Sequence, residues 1–467
     1  MTIVKKIKRK RKRIKRTFSI IKKSNLDVFN KIFRILSWLL PGLVLKRWIV
    51  TSAIGLITSL LGIAIWTNLR PLYWLIETFF WLMTGLTSIF PVSILGPFIL
   101  FIGLLLICLG QNRSINSIQK ALVPQKETLL VDALRVNSKL SRGPNIVAIG
   151  GGTGLSTLLK GLKNYSSNIS AIVTVTDDGG SSGILRKQLG VQPPGDIRNC
   201  LAALSNEEPT LTRLFQYRFS GGGGLEGHSF GNLFLSALTT ITGSLEKAVQ
   251  ASSQVLSVQG QVIPATGTDV MLWAELEDGE KIFGESLIGK SVKPISRIGC
   301  LPENPPALKN AIEAIKEADL IVLGPGSLYT SLLPNLLVPE IVEELLKNNS
   351  PKIYISNLMT QPGETDGLDV YQHIKSIEKQ LFNFGVNTRI FNAILSQGEF
   401  EGSSLIDYYR SRGAEPVICN KKRLVSEGYQ VLQAPLYSKR ITPTLRHDYR
   451  RLARAVMYLY KKIKKAS

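Results

Sequence analysis

The glycine-rich turn Gly150–Gly154 is the segment whose residue types point most directly to chemistry. It follows the apolar run Ile146–Ile149 and precedes leucines at helical spacing, namely Leu155, Leu158, Leu159 and Leu162. Glycine allows the backbone to approach a phosphate, and the N-terminus of a helix offers free N–H groups and a partial positive charge. The spacing fits neither of the two common nucleotide-binding fingerprints. The turn (Gly150, Gly151, Gly152, Thr153, Gly154) therefore predicts a phosphate-bearing ligand, with a plain tight turn as the alternative.

Two adjacent carboxylates, Asp177 and Asp178, follow the predicted strand Ala171–Val175. An acidic residue at about this distance, roughly 20 residues past such a turn, holds a ribose hydroxyl in dinucleotide-binding sheets. The pair could instead hold Mg²⁺, the one metal that we consider, and no cofactor is predicted with certainty. Acidic residues beside glycines are also ordinary turn formers. Ser181 and Ser182 belong to the same segment and are candidate ligand contacts.

Four further polar segments follow predicted strands or open predicted helices. Asp196 is suited to cap a helix, and Arg198 to clamp a phosphate with two hydrogen bonds. His228 could donate to a phosphate or act as an acid or base, and a structural role is equally open. We place His373 and His447 in predicted helices, and no residue is identified as catalytic. The candidate ligand-binding residues of these segments are Asp196, Arg198, Asn199, His228, Asn232, Gly324, Gly326, Ser327, Tyr329, Thr330, Asn357 and Thr360.

Several long phrases of these segments, in the same order, resemble the YvcK/CofD family. The phrases are TVTDDGGSSG, PPGDIRNCLAAL, GHSFGNL, LGPGSLYTSLLPNLL and NLMTQPGET. The resemblance covers about Asn145 to Ala455 and is closest to the YvcK branch. It implies a Rossmann-like α/β domain.

The resemblance also implies a function. Proteins of the YvcK branch are gluconeogenesis factors that bind UDP-sugars such as UDP-N-acetylglucosamine and are needed for cell shape and envelope synthesis. Those of the CofD branch are 2-phospho-L-lactate transferases. By the resemblance, Gly150–Gly154 would meet the diphosphate, and Asp177 and Asp178 would lie near the nucleoside, ribose or metal. Asn199, His228, Asn232, Gly326–Thr330 and Asn357 would line the same cleft. We expect a UDP-sugar-binding regulatory protein rather than an enzyme, with a phospholactate-type transferase as the alternative.

The elements that position these residues alternate between strands and helices from Asn145 onwards. Further predicted strands are Leu320–Leu323 and Ile353–Ile355, and further predicted helices are Asp196–Ser205, Leu308–Glu317 and Val338–Lys347. This alternation predicts a mostly parallel sheet with helices on both faces. Residues 254–295 predict an inserted β element around the turn Glu277–Glu280. In such sheets ligands bind outside the carboxyl ends of the strands, where the strand order reverses.

Charge is spread unevenly along the 467 residues. Residues 1–125 hold 19 Lys and Arg against Asp27 and Glu77, a net +17 of the total +23, so the remaining residues carry only +6. The net charge of the main domain therefore does not predict that it binds nucleic acid. The four cysteines (Cys108, Cys200, Cys300, Cys419) form no CxxC pair, which argues against a zinc site and favours a reducing compartment.

The N-terminal region predicts a membrane anchor. Trp48–Thr67 and Val92–Gly110 are apolar runs of about bilayer-spanning length, and Pro71–Pro91 between them could form a third. Segments rich in Lys and Arg stay on the cytoplasmic side of a membrane, so we predict that the basic N-terminus lies in the cytoplasm. We therefore predict a multi-pass plasma-membrane protein with its large domain in the cytoplasm.

The predicted domains are a basic tail with an interfacial helix (1–47), a membrane region of two or three spans (48–110), a linker (111–143) and the Rossmann-like domain (144–467). The predicted partners are the UDP-sugar or a related nucleotide-diphosphate ligand, membrane lipid and envelope-synthesis proteins. We predict no specific nucleic acid, and we leave homo-oligomer formation open.

Overall fold

The computed structural model describes residues 45–66, 70–89, 91, 93–94, 96–106, 110, 138–206, 209–291, 293–382, 385–400, 404–437 and 444–466. The chain divides into two compact units, Met1–Arg135 and Val136–Ser467. The described part of the first unit includes the helices α1 (Leu45–Trp66) and α2 (Arg70–Ile89). The predicted basic tail, up to residue 44, and the linker residues 111–137 lie outside the described residues.

The predicted membrane spans are not supported. In the described part of the chain, no helix combines the length and the apolar character that crossing a membrane requires. A span needs about 20 consecutive, predominantly apolar residues in one helix. The prediction of a multi-pass plasma-membrane protein with transmembrane helices is therefore wrong.

The second unit is built on two sheets. Its strands are β1 (Ile146–Gly150), β2 (Ile169–Val173), β3 (Gln261–Pro264), β4 (Met271–Leu276), β5 (Lys281–Phe283), β6 (Ile295–Leu301), β7 (Leu320–Leu323), β8 (Lys352–Ile355), β9 (Ala393–Gln397) and β10 (Gln430–Ala434). Seven of them form one parallel sheet in the order β10-β9-β8-β7-β1-β2-β3. Every residue of β1, β7, β8 and β9 is buried. Burial on both faces explains why these strands read as continuous apolar runs instead of alternating.

Helices connect the strands and cover the sheet. They are α3 (Gly152–Leu162), α4 (Gly180–Leu189), α5 (Gly195–Leu204), α6 (Pro209–Gln216), α7 (Phe230–Thr242), α8 (Leu245–Val255), α9 (Glu285–Ile288), α10 (Lys309–Lys316), α11 (Leu333–Leu336), α12 (Pro339–Lys347), α13 (Val370–Phe382), α14 (Ser404–Arg410), α15 (Lys421–Ser426) and α16 (Tyr449–Ala466), with a π-helical turn at Leu328–Leu332. The four leucines of the stripe that predicts α3 are fully buried. The prediction of an α/β fold with a mostly parallel sheet is confirmed.

The strand order reverses between β1 and β7. From β1 the chain proceeds outwards through β2 to β3, then returns to the other side of β1 and proceeds through β7 to β10. The loops that leave the carboxyl ends of β1 and β7 therefore diverge, and a crevice opens between them.

The insertion is smaller than predicted. The strands β4, β5 and β6 form a separate antiparallel sheet, and the predicted turn at Glu277–Glu280 joins β4 to β5. The strand β3 lies within the predicted insertion but pairs with β2 in the parallel sheet. With only four residues, β3 is too short for its sequence pattern to show which of the two sheets it joins.

Candidate functional site

A cavity of about 470 Å³ lies at the point where the strand order reverses. Its walls include Gly151–Gly154 after β1, Pro325–Ser327 after β7 and Asn357–Gln361 after β8. Its volume is within the range of about 300–1,000 Å³ that small-molecule sites occupy. A larger cavity of about 1020 Å³ lies beside Gln397 and Gln433, at the end of the sheet formed by β9 and β10. We take the first cavity as the candidate site because of its place in the topology.

The glycines of the turn have two structural purposes. A Cβ atom on Gly154 would lie 2.3 Å from the carbonyl oxygen of Pro325, so only glycine lets the first turn of α3 touch the loop after β7. Gly152 has φ +66°, a left-handed conformation that other residues rarely adopt. Gly150 belongs to β1, and its carbonyl accepts hydrogen bonds from Thr174 N (3.1 Å) and Asn335 Nδ2 (3.2 Å). Gly150 therefore supports the turn without lining the cavity.

Three carboxylates line the cavity. Asp196 does not cap α5, whose N-cap residue is Pro194, but accepts a hydrogen bond from the backbone N–H of Gly152. Burial, and then the nearby charge of Asp177, raises the pKa of Asp196 to about 7. Burial likewise raises the pKa of Glu285 well above its usual range, with contributions from Asp196 and Asp177 and opposed by the hydroxyl of Thr176, which donates to Glu285 Oε2 at 2.9 Å. Asp196 can therefore exchange a proton near neutral pH.

Asp178, unlike Asp177, does not line the cavity. Its Oδ1 atom accepts a hydrogen bond from the backbone N–H of Ser286 at 2.7 Å, which ties the loop after β2 to α9. Across the described ranges, no group of three or more His, Cys, Asp or Glu side chains is placed to hold a metal ion. Magnesium on Asp177 and Asp178 stays a prediction.

A second polar network lies outside the cavity lining. Ser181 Oγ is 3.0 Å from His228 Nδ1 and accepts from Asn232 Nδ2 at 3.1 Å. The guanidinium of Arg198 donates to Ser229 Oγ and to Asn199 Oδ1. Its two terminal nitrogens therefore have internal partners, and Arg198 does not line the cavity, in contrast to the predicted phosphate clamp.

The structure thus divides the predicted site residues into two groups. Those that line the cavity are Gly151, Gly152, Thr153, Gly154, Asp177, Asp196, Gly326, Ser327, Asn357 and Thr360. Those that do not are Gly150, Asp178, Ser181, Ser182, Arg198, Asn199, His228, Asn232, Gly324, Tyr329 and Thr330. Thr330, on the π-helical turn, donates to the buried Glu364 at 3.3 Å.

The C-terminal part of the chain contributes lining residues that the sequence did not indicate. Tyr409 on α14 accepts a hydrogen bond from Leu445 N at 3.0 Å, and both line the cavity with Arg446 and His447. His447 precedes α16, so its placement in a helix is wrong. Burial lowers its pKa to about 4, which leaves the imidazole neutral.

The signal that could have located this segment is Asp448. Its Oδ1 atom accepts from the backbone N–H groups of Arg450 and Arg451 at the start of α16. A capping Asp before a basic, periodic run marks the beginning of a helix, which leaves residues 445–447 in a loop.

Comparison with known proteins identifies the family. The family model described as 2-phospho-L-lactate transferase CofD matches residues 146–437. A Nostoc sp. protein, provisionally named a gluconeogenesis factor, is 50% identical over 423 residues, covering 91% of this chain and 92% of its own. The gluconeogenesis factor of Bacillus subtilis is 45% identical over 322 residues, covering 69% of this chain and 100% of its own.

A solved structure supports the same assignment. The crystal structure of a Bacillus halodurans protein has a TM-score of 0.63 and 45% identity, covering 68% of this chain and 99% of its own. These matches show that the chain belongs to the CofD family, within its YvcK-type branch of gluconeogenesis factors.

Proposed function

We propose that the protein binds a nucleotide-diphosphate sugar, of the UDP-N-acetylglucosamine type, in the cavity between the loops after β1 and β7. The observation that carries this proposal is the position of the cavity. It lies where the strand order reverses and where the N-terminal turn of α3 forms one wall. Open α/β sheets bind their nucleotide ligands at this point, with the phosphates against the helix N-terminus.

The lining offers groups for each part of such a ligand. The diphosphate would meet the backbone of Gly152–Gly154, and Arg446 supplies a guanidinium that can hold two phosphate oxygens. Gln361 Nε2 donates to Ser327 Oγ at 2.7 Å, and Asn357 Nδ2 lies 3.4 Å from Gln361 Oε1. A few convergent polar groups of this kind fix the orientation of a ligand in its pocket.

The proposed role is regulatory. We infer that the protein reports the supply of a sugar-nucleotide precursor to the proteins that build the cell envelope and set cell shape. The names of its relatives, which are gluconeogenesis factors, support a link to carbon supply.

Calorimetric titration of the full chain with UDP-N-acetylglucosamine tests the proposal. We expect saturable binding, weakened about tenfold or more in Arg446→Gln, because a charge-assisted hydrogen bond contributes about 1.5–3 kcal/mol. Arg454→Gln is the matched control, since Arg454 is an exposed cation that does not line the cavity. Absence of binding by the folded wild-type chain, or equal loss in both variants, contradicts the proposal.

A transferase activity is the second candidate. It is favoured by Asp196 and Glu285, because carboxyl groups with raised pKa values in a cavity are suited to acid–base catalysis. It also agrees with the description of the family model. Turnover of a nucleotide-diphosphate donor carrying a phospholactyl-type group, abolished in Glu285→Gln, would support this candidate. Binding without turnover leaves the regulatory role.

A further inference from the structure

The charge of the cavity is unusual for a site that receives phosphates. Among the described lining residues, three carboxylates (Asp177, Asp196 and Glu285) face a single guanidinium, that of Arg446. Another lining residue, His447, is kept neutral by burial, which lowers its pKa to about 4. A diphosphate therefore enters a cavity that holds more carboxyl groups than cations, and each carboxyl group that is ionised opposes further negative charge.

Asp196 lies where the charge of the ligand would be concentrated. Its carboxylate accepts the N–H of Gly152, at the first residue of α3, and thereby occupies one of the free donors of the helix N-terminus. A Cβ atom on Gly151 would lie only 2.5 Å from Asp196 Oδ2, so the carboxylate is packed directly against the turn. Because the group is deep in the protein, charge interactions there are screened less than at the surface.

Glu285 reaches the same cavity from the antiparallel insertion. It is the first residue of α9, and its Oε2 atom accepts from Thr176 at the end of the loop after β2. The other charged or titratable groups that act on this pair are Asp177 and Asp178 after β2, and Arg198 and Cys200 on α5. Neither carboxylate has an ion-pair partner among the described residues.

We infer that Asp196 makes the site selective for a diphosphate that is esterified at both ends, against a nucleotide that ends in a free phosphate. The inference rests on the proposed function and specifies its ligand class. Each phosphate of a sugar nucleotide is a diester with one negative charge. A terminal phosphate loses a second proton with a pKa of about 6 and carries close to two charges at neutral pH. Like charges placed against a partner are a recognised way to reject it.

This selectivity suits a protein that responds to a precursor. The free nucleotide diphosphate is the product left when a sugar is transferred from its carrier. A site that accepts both forms equally would report the nucleotide pool. A site that rejects the terminal phosphate reports the sugar-charged form alone.

The test compares three ligands on the full chain by calorimetry at about pH 8, where Asp196, with its pKa of about 7, is mostly ionised. The ligands are UDP-N-acetylglucosamine, UDP and the β-methyl ester of UDP. The methyl ester isolates charge from sugar contacts, because it differs from UDP by one methyl group and one negative charge. We expect the methyl ester to bind about tenfold or more tightly than UDP.

The variants are Asp196→Asn, which is nearly isosteric and still able to accept the hydrogen bond described above, and Asp196→Ser, which removes the same charge with a smaller side chain. We expect each to strengthen UDP binding and to reduce the ratio between methyl ester and UDP to about threefold or less. Glu343→Gln is the matched control, because Glu343 is exposed on α12, pairs with Lys347 and does not line the cavity. Two independent variants keep the inference testable if one fails to fold.

The outcomes separate this inference from the proposed function. Failure of all three ligands to bind overturns both. Binding of UDP-N-acetylglucosamine with equal affinities for UDP and its methyl ester, or a ratio unchanged in both variants, overturns the inference alone. Loss of sugar-nucleotide binding when divalent cations are removed with EDTA also overturns it, because the carboxylates would then be cation ligands.

Discussion

At the scale of single residues, Gly152 links the sequence pattern to the chemistry of the site. Its importance lies in its backbone conformation rather than in steric crowding. It has φ +66°, and the nearest atom that an added Cβ would meet is Ser331 Oγ at 3.7 Å. A side chain therefore fits in space but forces a left-handed conformation that costs about 1–2 kcal/mol outside glycine.

We predict that Gly152→Ala lowers the free energy of unfolding by about 1 kcal/mol and weakens UDP-N-acetylglucosamine binding, because relaxing φ moves the N–H groups at the start of α3. Urea denaturation and calorimetry measure the two effects. Gly190→Ala is the control: Gly190 has φ +65°, also in open space, at the end of α4. It should lose similar stability and keep its affinity. Equal affinity losses in both variants would show that the turn does not hold the ligand.

Glu364 gives a prediction about pH. Burial raises its pKa from 4.5 to about 7, and its Oε2 atom has no hydrogen-bond partner among the residues that the structure describes. Between these two values the folded protein keeps a proton that the unfolded chain releases, so the free energy of unfolding falls as pH rises through that window. Glu364→Gln should make this decline shallower in urea denaturation at about pH 5 and about pH 8, whereas Glu343→Gln should not. If the unfolding free energy of Glu364→Gln declined as steeply with pH as that of the wild type, Glu364 would not be the source of the decline.

The sequence predicted part of the site at this scale. The glycine turn, Asp177, Asp196 and the polar residues after β7 and β8 follow directly after strands, and the strand ends of a parallel sheet meet at one edge. Tyr409, Arg446 and His447 were not predicted, because they reach the cavity from loops that no local pattern connects to it. Glu285 was missed because its burial depends on how the insertion packs against the loop after β2.

At the scale of elements, the site depends on contact between α3 and the loop after β7. The absence of a side chain at Gly154 permits this contact. We predict that Gly154→Ala lowers the free energy of unfolding by about 1–3 kcal/mol, because its Cβ would overlap the Pro325 carbonyl and force the two backbones apart. It should also weaken ligand binding.

Gly224→Ala is the matched control for Gly154→Ala. Gly224 has ordinary backbone dihedrals and nothing within 4 Å of its added Cβ. It should change neither stability nor affinity by more than a small amount. A stable Gly154→Ala variant with unchanged affinity would mean that the two loops need not touch.

Elements were predicted well where a pattern is long or bounded by glycine. The stripe Leu155–Leu162 predicted α3, and the strand pattern before it predicted β1. Boundaries shifted for Ala171–Val175, because the strand is Ile169–Val173 and its last predicted residues already belong to the loop. The N-terminal apolar runs were misinterpreted, because none of the described helices there is long and apolar enough to cross a membrane.

At the scale of the whole molecule, the two units differ in how widely relatives share them. The second unit has 332 residues, from 136 to 467, so the 423-residue Nostoc alignment extends into the first unit. The Bacillus subtilis relative is covered completely by 322 aligned residues. A protein of about the length of the second unit therefore exists by itself.

We predict that residues 136–467 alone fold cooperatively and bind UDP-N-acetylglucosamine within about threefold of the full chain, because every described residue of the cavity lies in this unit. Circular dichroism on heating and calorimetry measure the two properties. A folded fragment that has lost binding would assign part of the site to the first unit.

The most direct test of the central claim is a crystal structure of the protein with UDP-N-acetylglucosamine. We predict the diphosphate in the cavity beside Gly152–Gly154, within hydrogen-bond distance of backbone N–H groups and of the Arg446 guanidinium. The sugar nucleotide in the larger cavity beside Gln397 and Gln433, with the glycine turn free of ligand, would contradict the claim.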